Sequence, residues 1–102
     1  SYYESELFFS KVLEIDNDHP DALFNLGKLL FNMERTEEAI SRIESFHNIE
    51  RSNTEAMLIL GICFHKMNDN KTAQFYWEKA LDVDPDYQEA RNMLKKLNDS
   101  NP

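Results

Sequence analysis

The residues of this chain best suited to catalysis are three histidines and one cysteine, and they are scattered along it. His19, His47 and His65 fall in different segments, and none has an orienting carboxylate at the spacing of a nucleophile site. Cys63 and His65 are two positions apart, so on a helix they point in different directions. A single cysteine forms no intramolecular disulfide, which favours a reducing, cytoplasmic location. We expect no catalytic site, and we interpret Cys63 as a small core residue.

Two acidic stretches, residues 16–18 and 82–86, raise the question of a calcium site. Neither has the glycine at loop position six or the glutamate at position twelve that an EF-hand requires. We interpret both stretches as turns at helix ends. A structural zinc site needs several ligands, and the chain has no glycine-rich phosphate loop. The sequence therefore predicts no metal and no cofactor.

Charge and hydropathy limit the partners. Among 102 residues, Lys and Arg number 11 against 19 Asp and Glu, a net charge of −8 at pH 7. Nucleic-acid binders neutralise phosphates with clustered basic residues, so we expect no nucleic-acid partner. The longest apolar run, residues 56–64, falls far short of the roughly 20 residues of a membrane helix, and no targeting peptide is visible. With 41% hydrophobic residues, the chain is expected to fold as one soluble domain.

The chain repeats with a period of 34 residues. Its two glycines, Gly27 and Gly61, are 34 positions apart, and the same shift aligns further residues of matching class. Around each glycine, apolar residues recur at i, i+3, i+4 and i+7, the spacing of an amphipathic helix. No alternation typical of a β-strand competes, so the sequence predicts an all-α fold. The aligned positions include Ala22, Ala56 and Ala90; Leu26, Leu60 and Leu94; Ser5, Ala39 and Ala73; and Phe9, Ile43 and Trp77.

Short polar breaks separate the two helices of each repeat. They contain Glu34 in one repeat and Asn68 in the next. Asparagine tolerates the left-handed backbone conformation that a tight interhelical turn requires, and glutamate tolerates it less well. Pro20 and Pro85 mark boundaries between repeats, because the residue before a proline is pushed out of the α region.

This spacing resembles the tetratricopeptide repeat (TPR), a family of paired antiparallel helices stacked into a superhelix. The residues that carry the resemblance are Leu23, Leu26, Gly27, Leu30, Ala39, Ile43 and Phe46, then Met57, Leu60, Gly61, Phe64, Ala73, Trp77, Ala80 and Pro85. The resemblance implies an all-α superhelix of about two repeats in one domain, residues 1–102. Residues 1–17 would be the second helix of a preceding repeat, 20–51 and 54–86 the full repeats, and 88–99 a capping helix. Because the first helix begins mid-repeat, we expect the segment to come from a longer array.

Three residues depart from the pattern at the end of the first repeat. Phe46 stands where the next repeat has Ala80, His47 replaces a leucine-like position, and Arg51 stands where the next repeat has Pro85. We therefore expect this repeat to end loosely or to carry a shifted second helix.

Stacked hairpins of this kind form a concave surface lined by the first helix of each pair. The resemblance implies that this groove binds an extended peptide or a helix of a partner protein, without catalysis. Lysines at its edge favour a peptide with apolar anchors and some acidic character. The groove-facing candidates are Asp21, Phe24, Asn25, Lys28, Phe31 and Asn32, then Glu55, Leu58, Ile59, Ile62, His65 and Lys66, and Glu89, Asn92, Met93 and Lys96 on the last helix.

These candidates also have a plainer interpretation. The helix that contains Leu58, Ile59 and Ile62 is apolar nearly all round, so the three are as consistent with a buried core as with a groove floor. The lysines and the histidine of the set are more often ordinary solvated side chains than ligand contacts.

One specific function of the family is disfavoured. Some TPR domains of chaperone cofactors clamp a C-terminal carboxylate with Lys and Asn residues at fixed distances from the glycine position. Here those positions hold Phe24, Lys28 and Ile59, and the basic positions of the third repeat hold Glu89 and Met93. We therefore do not expect chaperone tails as ligands.

An alternative function is assembly, either with copies of the chain or as a structural segment of a larger TPR array. Two aromatic runs, residues 7–9 and 75–77, carry more rings than the repeat core needs. Phe8 and Tyr76 are expected to project from the convex side, where clustered apolar surface often marks an interface. This alternative predicts a homo-oligomer.

Overall fold

In the computed structural model, which describes residues 1–100, the chain forms six α-helices and no β-strand over that range. The predicted all-α class is confirmed, and the last two residues of the predicted domain lie outside the described residues. No helix in residues 1–100 combines the length and the apolar composition needed to cross a bilayer. The helices are α1 (Tyr2–Ile15), α2 (Pro20–Asn32), α3 (Thr36–Ile49), α4 (Thr54–Lys66), α5 (Asn70–Val83) and α6 (Gln88–Ser100).

The backbone follows the 34-residue period of the sequence. Each helix from α3 onward begins and ends 34 residues after the helix two places before it. The predicted loose or shifted end of the first repeat is therefore wrong, because α3 keeps the length and register of α5. The large Phe46 fits because its ring, 4% exposed, stacks on Phe24 with centroids 4.3 Å apart. His47 is also buried, at 7% exposure.

Side-chain caps begin the first helix of each hairpin. His19 Nδ1 accepts a hydrogen bond from the Ala22 N–H at 3.2 Å, and Pro20 follows at the first helical position. In the next repeat, Asn53 Oδ1 accepts from the Ala56 N–H at 2.9 Å. These caps satisfy donors that a helix start leaves unpaired. His19 thus has a structural role at the start of α2.

The turns between paired helices are two copies of one motif. Glu34 and Asn68 have φ values of 60° and 63°, in the left-handed region. After each of them, the next N–H donates to a carbonyl five residues back, from Arg35 to Leu30 and from Asp69 to Phe64, both at 2.9 Å. This is the Schellman pattern, which ends a helix sharply. The left-handed turn predicted from the sequence is confirmed in both repeats.

The helices group into two compact units, Ser1–Arg51 with α1 to α3 and the residues from Ser52 with α4 to α6. In the first unit α2 packs against both α1 and α3. Gly27 is buried, and a Cβ at that position would collide with the side chain of Ile43 on α3. The missing side chain therefore lets α2 and α3 approach each other closely. The buried core of this unit consists of Leu13, Ala22, Leu23, Leu26, Leu30, Ala39, Ile43 and Phe46.

An ion-pair network joins distant parts of the first unit. Arg35 donates two hydrogen bonds to the Glu38 carboxylate, at 2.9 and 2.7 Å, and a third to Glu6 Oε1 at 2.7 Å. Hydrogen bonding to Arg35 lowers the pKa of Glu38, and the two carboxylates raise the pKa of Arg35. The guanidinium thereby connects the start of α3 to α1.

The second unit is built around one tryptophan. Trp77 is 2% exposed, and its indole Nε1 donates to the Leu58 carbonyl of α4 at 3.2 Å. A Cβ at Gly61 would collide with the indole and lie 2.6 Å from its Cε2 atom. Trp77 also joins Ala73 and Leu97 in a core cluster, so it contacts α4 and α6 from its place on α5. A second cluster is formed by Met57, Ala80 and Ala90.

Candidate peptide-binding surfaces

The first unit presents a cation above an aromatic stack on α2. The ring of Phe24 is nearly parallel to that of Phe46, at 7°, and Lys28 Nζ lies 4.4 Å from the centroid of the Phe24 ring. Phe24, Lys28 and Phe31 are half-buried, and Asn25 is exposed. Packing against Phe46 fixes the Phe24 ring, so this part of α2 offers a rigid apolar surface beside a positive charge. Such a surface can bind an apolar side chain or an acidic group.

In the second unit, the residues of α4 that were predicted to line a groove differ in how deeply they are buried. Ile59 is buried at 6% exposure, so it belongs to the core rather than to a groove floor. Leu58 and Ile62 are half-buried and pack against the Trp77 cluster with part of each side chain still accessible. His65 and Lys66 are exposed at the C-terminal end of the helix. The sequence pattern was equally consistent with core and surface for all three residues, and the structure buries Ile59 while leaving Leu58 and Ile62 partly accessible.

A cavity of about 200 Å³ lies within the second unit, between α4, α5 and α6. Three of its lining residues are apolar and the other three are polar. His65 Nδ1 is 2.8 Å from Asn70 Oδ1, a contact that orients the imidazole. The cavity is lined by Trp77, Met93 and Leu97, and by His65, Lys96 and Ser100. The sequence pointed to His65, Met93 and Lys96 as groove residues, but nothing in it indicated that Trp77, Leu97 and Ser100 line the same space.

The family model of the tetratricopeptide repeat matches residues 8–41 and again residues 54–87, together two thirds of the chain. The chain belongs to the tetratricopeptide repeat family. The matched stretches include both glycine positions and both left-handed turns, so the residues on which the resemblance was based are those that build the TPR hairpins.

Known relatives and solved structures agree with this family. The chain is 29% identical over 86 residues to Drosophila melanogaster Protein O-mannosyl-transferase Tmtc3, a match that covers 83% of the chain and 9% of that protein. The first TPR of Spaghetti (RPAP3), solved with the HSP90 peptide SRMEEVD, has a TM-score of 0.89 at 23% identity, covering 97% of this chain and 79% of that one. The crystal structure of MamA has a TM-score of 0.91 at 23% identity, covering 97% of this chain and 54% of that one. These likenesses confirm the TPR fold, and the chain spans less than a tenth of the length of Tmtc3.

The aromatic runs on the second helices of the TPR hairpins differ from the prediction in one position. Phe8 is 63% exposed and meets Phe9 edge to face, with centroids 5.5 Å apart. In the other run Phe75 is the exposed ring, at 57%. Tyr76 is half-buried, because it stacks on Phe64 at 5.9 Å and packs against the cluster of Met57, Ala80 and Ala90. Within the two aromatic runs, the most exposed rings are therefore Phe8 and Phe75.

Cys63 has the environment of a core residue. It is fully buried on α4, and burial raises the pKa of its thiol to about 11. Its sulfur is therefore protonated at neutral pH, whereas thiol chemistry needs the thiolate. In residues 1–100, no three side chains among His, Cys, Asp and Glu are grouped so as to hold a metal ion.

Proposed function

We propose that this TPR segment is a non-catalytic scaffold that binds a peptide or helix of a partner protein through the accessible sides of α2 and α4. The observation that carries the proposal is the Phe24 ring, which is stacked on Phe46, lies below Lys28 and is still only half-buried. A ring fixed in this way loses little conformational freedom on binding, which is what a binding anchor requires. The half-buried Leu58 and Ile62 give α4 a comparable apolar strip.

The chemistry of the partner follows from the side chains around these anchors. Lys28 lies beside the Phe24 ring on α2, and in the second unit Lys66 is exposed at the end of α4 and Lys96 lines the cavity. On a chain of net charge −8, grouped lysines favour an acidic ligand at these places. We therefore propose a peptide with apolar anchors and acidic residues, and neither nucleic acid nor a membrane as the partner.

A peptide that binds a structural neighbour supports this chemistry without fixing the ligand. The HSP90 peptide SRMEEVD, held by the first TPR of Spaghetti (RPAP3), combines apolar and acidic residues. In the present chain, the positions at which the family resemblance implies a carboxylate clamp hold Phe24, Lys28, Ile59, Glu89 and Met93. Three of these side chains are apolar, one is acidic, and the one basic residue, Lys28, stands at an asparagine position, so we propose a ligand other than a chaperone tail.

We also propose that transferase chemistry belongs outside this segment. The name of Tmtc3 describes a mannosyl transferase, and the chain matches 9% of that protein. The most nucleophilic side chain type here, Cys63, is a buried and protonated thiol, and His19 caps a helix. A reducing, cytoplasmic setting agrees with this unpaired cysteine.

Selection of peptides followed by charge reversal tests the scaffold proposal. Peptides selected from a random displayed library on the intact chain should be rich in apolar and acidic residues. Lys28→Glu should weaken their binding roughly tenfold, whereas Lys11→Glu, which makes the same charge change on the exposed side of α1, should leave it within about twofold. If Lys28→Glu and Lys66→Glu both bind like the unchanged chain, partners do not use these faces and the proposal is wrong.

Self-assembly is a second candidate because Phe8 and Phe75 expose more than half of their surface. Exposed rings on the outer sides of repeat helices are suited to burial against another copy. Sedimentation velocity of the intact chain should then show concentration-dependent association that disappears in the Phe8→Ser, Phe75→Ser double variant. Tyr76 is unsuited to this test, because it packs against a core cluster. A monomer at all concentrations would eliminate this function and leave the scaffold proposal standing.

A further inference from the structure

We infer that the cavity between α4, α5 and α6 is a specificity pocket for one apolar side chain of the bound peptide, and that Lys96 at its rim holds the carboxylate of an Asp or Glu next to that side chain. This inference rests on the proposed function and adds a ligand class and a defined place for it. It concerns the second unit alone.

The size and the floor of the cavity fit a single apolar side chain. Its volume of about 200 Å³ is below the range of about 300–1,000 Å³ that is usual for pockets of drug-sized ligands. The indole N–H of Trp77 is already used by the Leu58 carbonyl, so the tryptophan offers the cavity only hydrocarbon. Trp77 and Leu97 are both buried members of one core cluster and are held in place by it. The pocket is therefore formed before a ligand arrives, which reduces the entropy cost of binding.

The rim of the cavity has the charge that an acidic residue requires. Lys96, His65 and Ser100 supply its polar groups, and none of the described lining residues is acidic. The Ser100 hydroxyl donates to the Lys96 carbonyl at 2.8 Å and reinforces the last turn of α6, which carries the lysine. Charge complementarity therefore points to an anionic group at this rim.

The rim is better suited to an acidic side chain than to a chain terminus. A terminal carboxylate is captured by a nest of converging backbone N–H groups or, in the TPR clamp described above, by several Lys and Asn side chains acting together. Among its described lining residues, the cavity here has a single lysine and no asparagine. Here the donors are side chains on α4 and α6, and the charged one is a lysine, a point charge on a flexible stem. A flexible ammonium can follow a mobile side-chain carboxylate. We therefore assign the pocket to an internal apolar–acidic pair in the peptide.

Trp77, the only tryptophan of the chain, gives the pocket its own reporter. The probe is the capped peptide acetyl-Gly-Leu-Glu-Gly-amide, titrated into the ¹⁵N-labelled intact chain while the indole N–H resonance is followed. We expect a saturating shift with a Kd on the order of 1 mM, as suits one small anchor. Replacing the leucine of the probe by alanine, or its glutamate by glutamine, should weaken binding roughly tenfold. No indole shift with the parent peptide would overturn the assignment.

A matched pair of variants separates the pocket from general charge effects. Lys96→Glu should weaken the binding of the probe peptide roughly tenfold. Lys95 is the adjacent exposed lysine and does not line the cavity, so Lys95→Glu should change the affinity by less than about twofold. Equal losses in both variants would overturn the assignment. Tighter binding of acetyl-Gly-Leu with a free terminal carboxylate would overturn the choice of an internal acid.

The pocket assignment and the scaffold proposal can be refuted separately. Library-selected peptides that bind Lys96→Glu and the unchanged chain equally well, and still lose affinity with Lys28→Glu, would refute the pocket and keep the scaffold. Selected peptides that bind Lys28→Glu and Lys66→Glu like the unchanged chain, but lose affinity with Lys96→Glu, would keep the pocket and refute binding through the accessible sides of α2 and α4.

Discussion

The hairpins α2–α3 and α4–α5 share one backbone but fill it with different side chains. Their helix bounds differ by 34 residues throughout, and both turns contain a residue near φ 60°. At the glycine position, however, Ile43 packs on Gly27 in the first hairpin and Trp77 packs on Gly61 in the second. The repeat therefore fixes where a large side chain must lie, and leaves open which one it is.

This difference separates two ways of combining stability with binding. In the first hairpin Ile43, which fills the glycine position, is fully buried, and the accessible aromatic ring is a different residue, Phe24, which is stacked on the buried Phe46. In the second hairpin, Trp77 both fills the glycine position and lines the cavity. A mutation in the first unit should therefore be able to change ligand binding without changing stability, whereas a mutation of Trp77 should change both.

The largest effect that we expect is from Trp77→Ala. Removing this buried indole leaves a large void and removes its hydrogen bond to the Leu58 carbonyl, and should lower the free energy of unfolding by about 3–5 kcal/mol. Urea unfolding followed by circular dichroism measures this loss without relying on tryptophan emission. In the first hairpin Ile43→Val should cost only about 0.5–1.5 kcal/mol. A loss for Trp77→Ala no larger than that for Ile43→Val would show that the second hairpin does not depend on its ring.

Adding one methyl group at each glycine sharpens the same comparison. Gly61→Ala places a Cβ against a rigid indole and should destabilise by about 1–3 kcal/mol, even after the better helix propensity of alanine. Gly27→Ala brings its Cβ within 3 Å of only one atom of Ile43, Cγ1, whereas Gly61→Ala meets three atoms of the indole. The cost of Gly27→Ala should therefore be smaller, even though the buried, β-branched Ile43 has little freedom to rotate. Chemical denaturation of the two single variants gives the ranking. Equal losses would mean that both hairpins relax in the same way.

In the two turns between paired helices, a glycine substitution is expected to raise stability rather than lower it. Glu34 has a φ of 60°, a left-handed conformation that is energetically unfavourable for most side chains. Asparagine, which occupies the equivalent position at Asn68, adopts this conformation at a much lower energy cost. Glu34→Gly should therefore raise the free energy of unfolding by about 1 kcal/mol, and Asn68→Gly should change it by less than about 0.5 kcal/mol. Thermal unfolding of the two variants measures the difference. If both substitutions stabilise equally, asparagine has no advantage at this turn.

The sequence predicts the parts of the fold that depend on spacing along one chain. The repeat period, the helical class and the left-handed turns all follow from the positions of Gly27, Gly61, Glu34 and Asn68, and all are confirmed. The predicted loose end of the first repeat was wrong because of Phe46. As a single residue Phe46 violates the small-residue pattern, but its partner Phe24 lies 22 positions away on the other helix of the hairpin.

The candidate site was less predictable because it depends on how side chains meet across helices. The sequence does not show that Ile59 turns into the core while Leu58 and Ile62 remain half-accessible. Nor does it show that Ser100 joins His65 beside one cavity, 35 positions apart in the chain. The hydrogen bond between Arg35 and Glu6 is likewise invisible to the repeat pattern, because it joins α1 to the turn before α3.

The smallest effect that we expect distinguishes the electrostatics of the two turns. The α3 turn uses the Arg35–Glu38 ion pair, whereas at the start of α5 the Asp69 carboxylate accepts hydrogen bonds from the Thr72 hydroxyl, at 2.7 Å, and backbone N–H. These contacts lower the pKa of both carboxyls. Each carboxylate therefore stabilises the fold fully above the pKa that it has in the unfolded chain, and this contribution is lost as the pH falls through the lowered pKa of the folded state. Glu38→Gln and Asp69→Ala should each lower the melting temperature at pH 7, and both differences should vanish in acid.

Salt separates the two mechanisms at pH 7. The attraction between two exposed charges is screened, since the Debye length falls to about 3 Å at 1 M salt, while a carboxylate that accepts hydrogen bonds from a hydroxyl and a backbone N–H is affected much less. Raising the salt should therefore shrink the melting-temperature difference caused by Glu38→Gln and preserve the one caused by Asp69→Ala. Equal salt sensitivity would mean that the first turn, like the second, is held by hydrogen bonding rather than by charge. The ion pair would then contribute only by giving the guanidinium a fixed geometry, from which it also reaches Glu6.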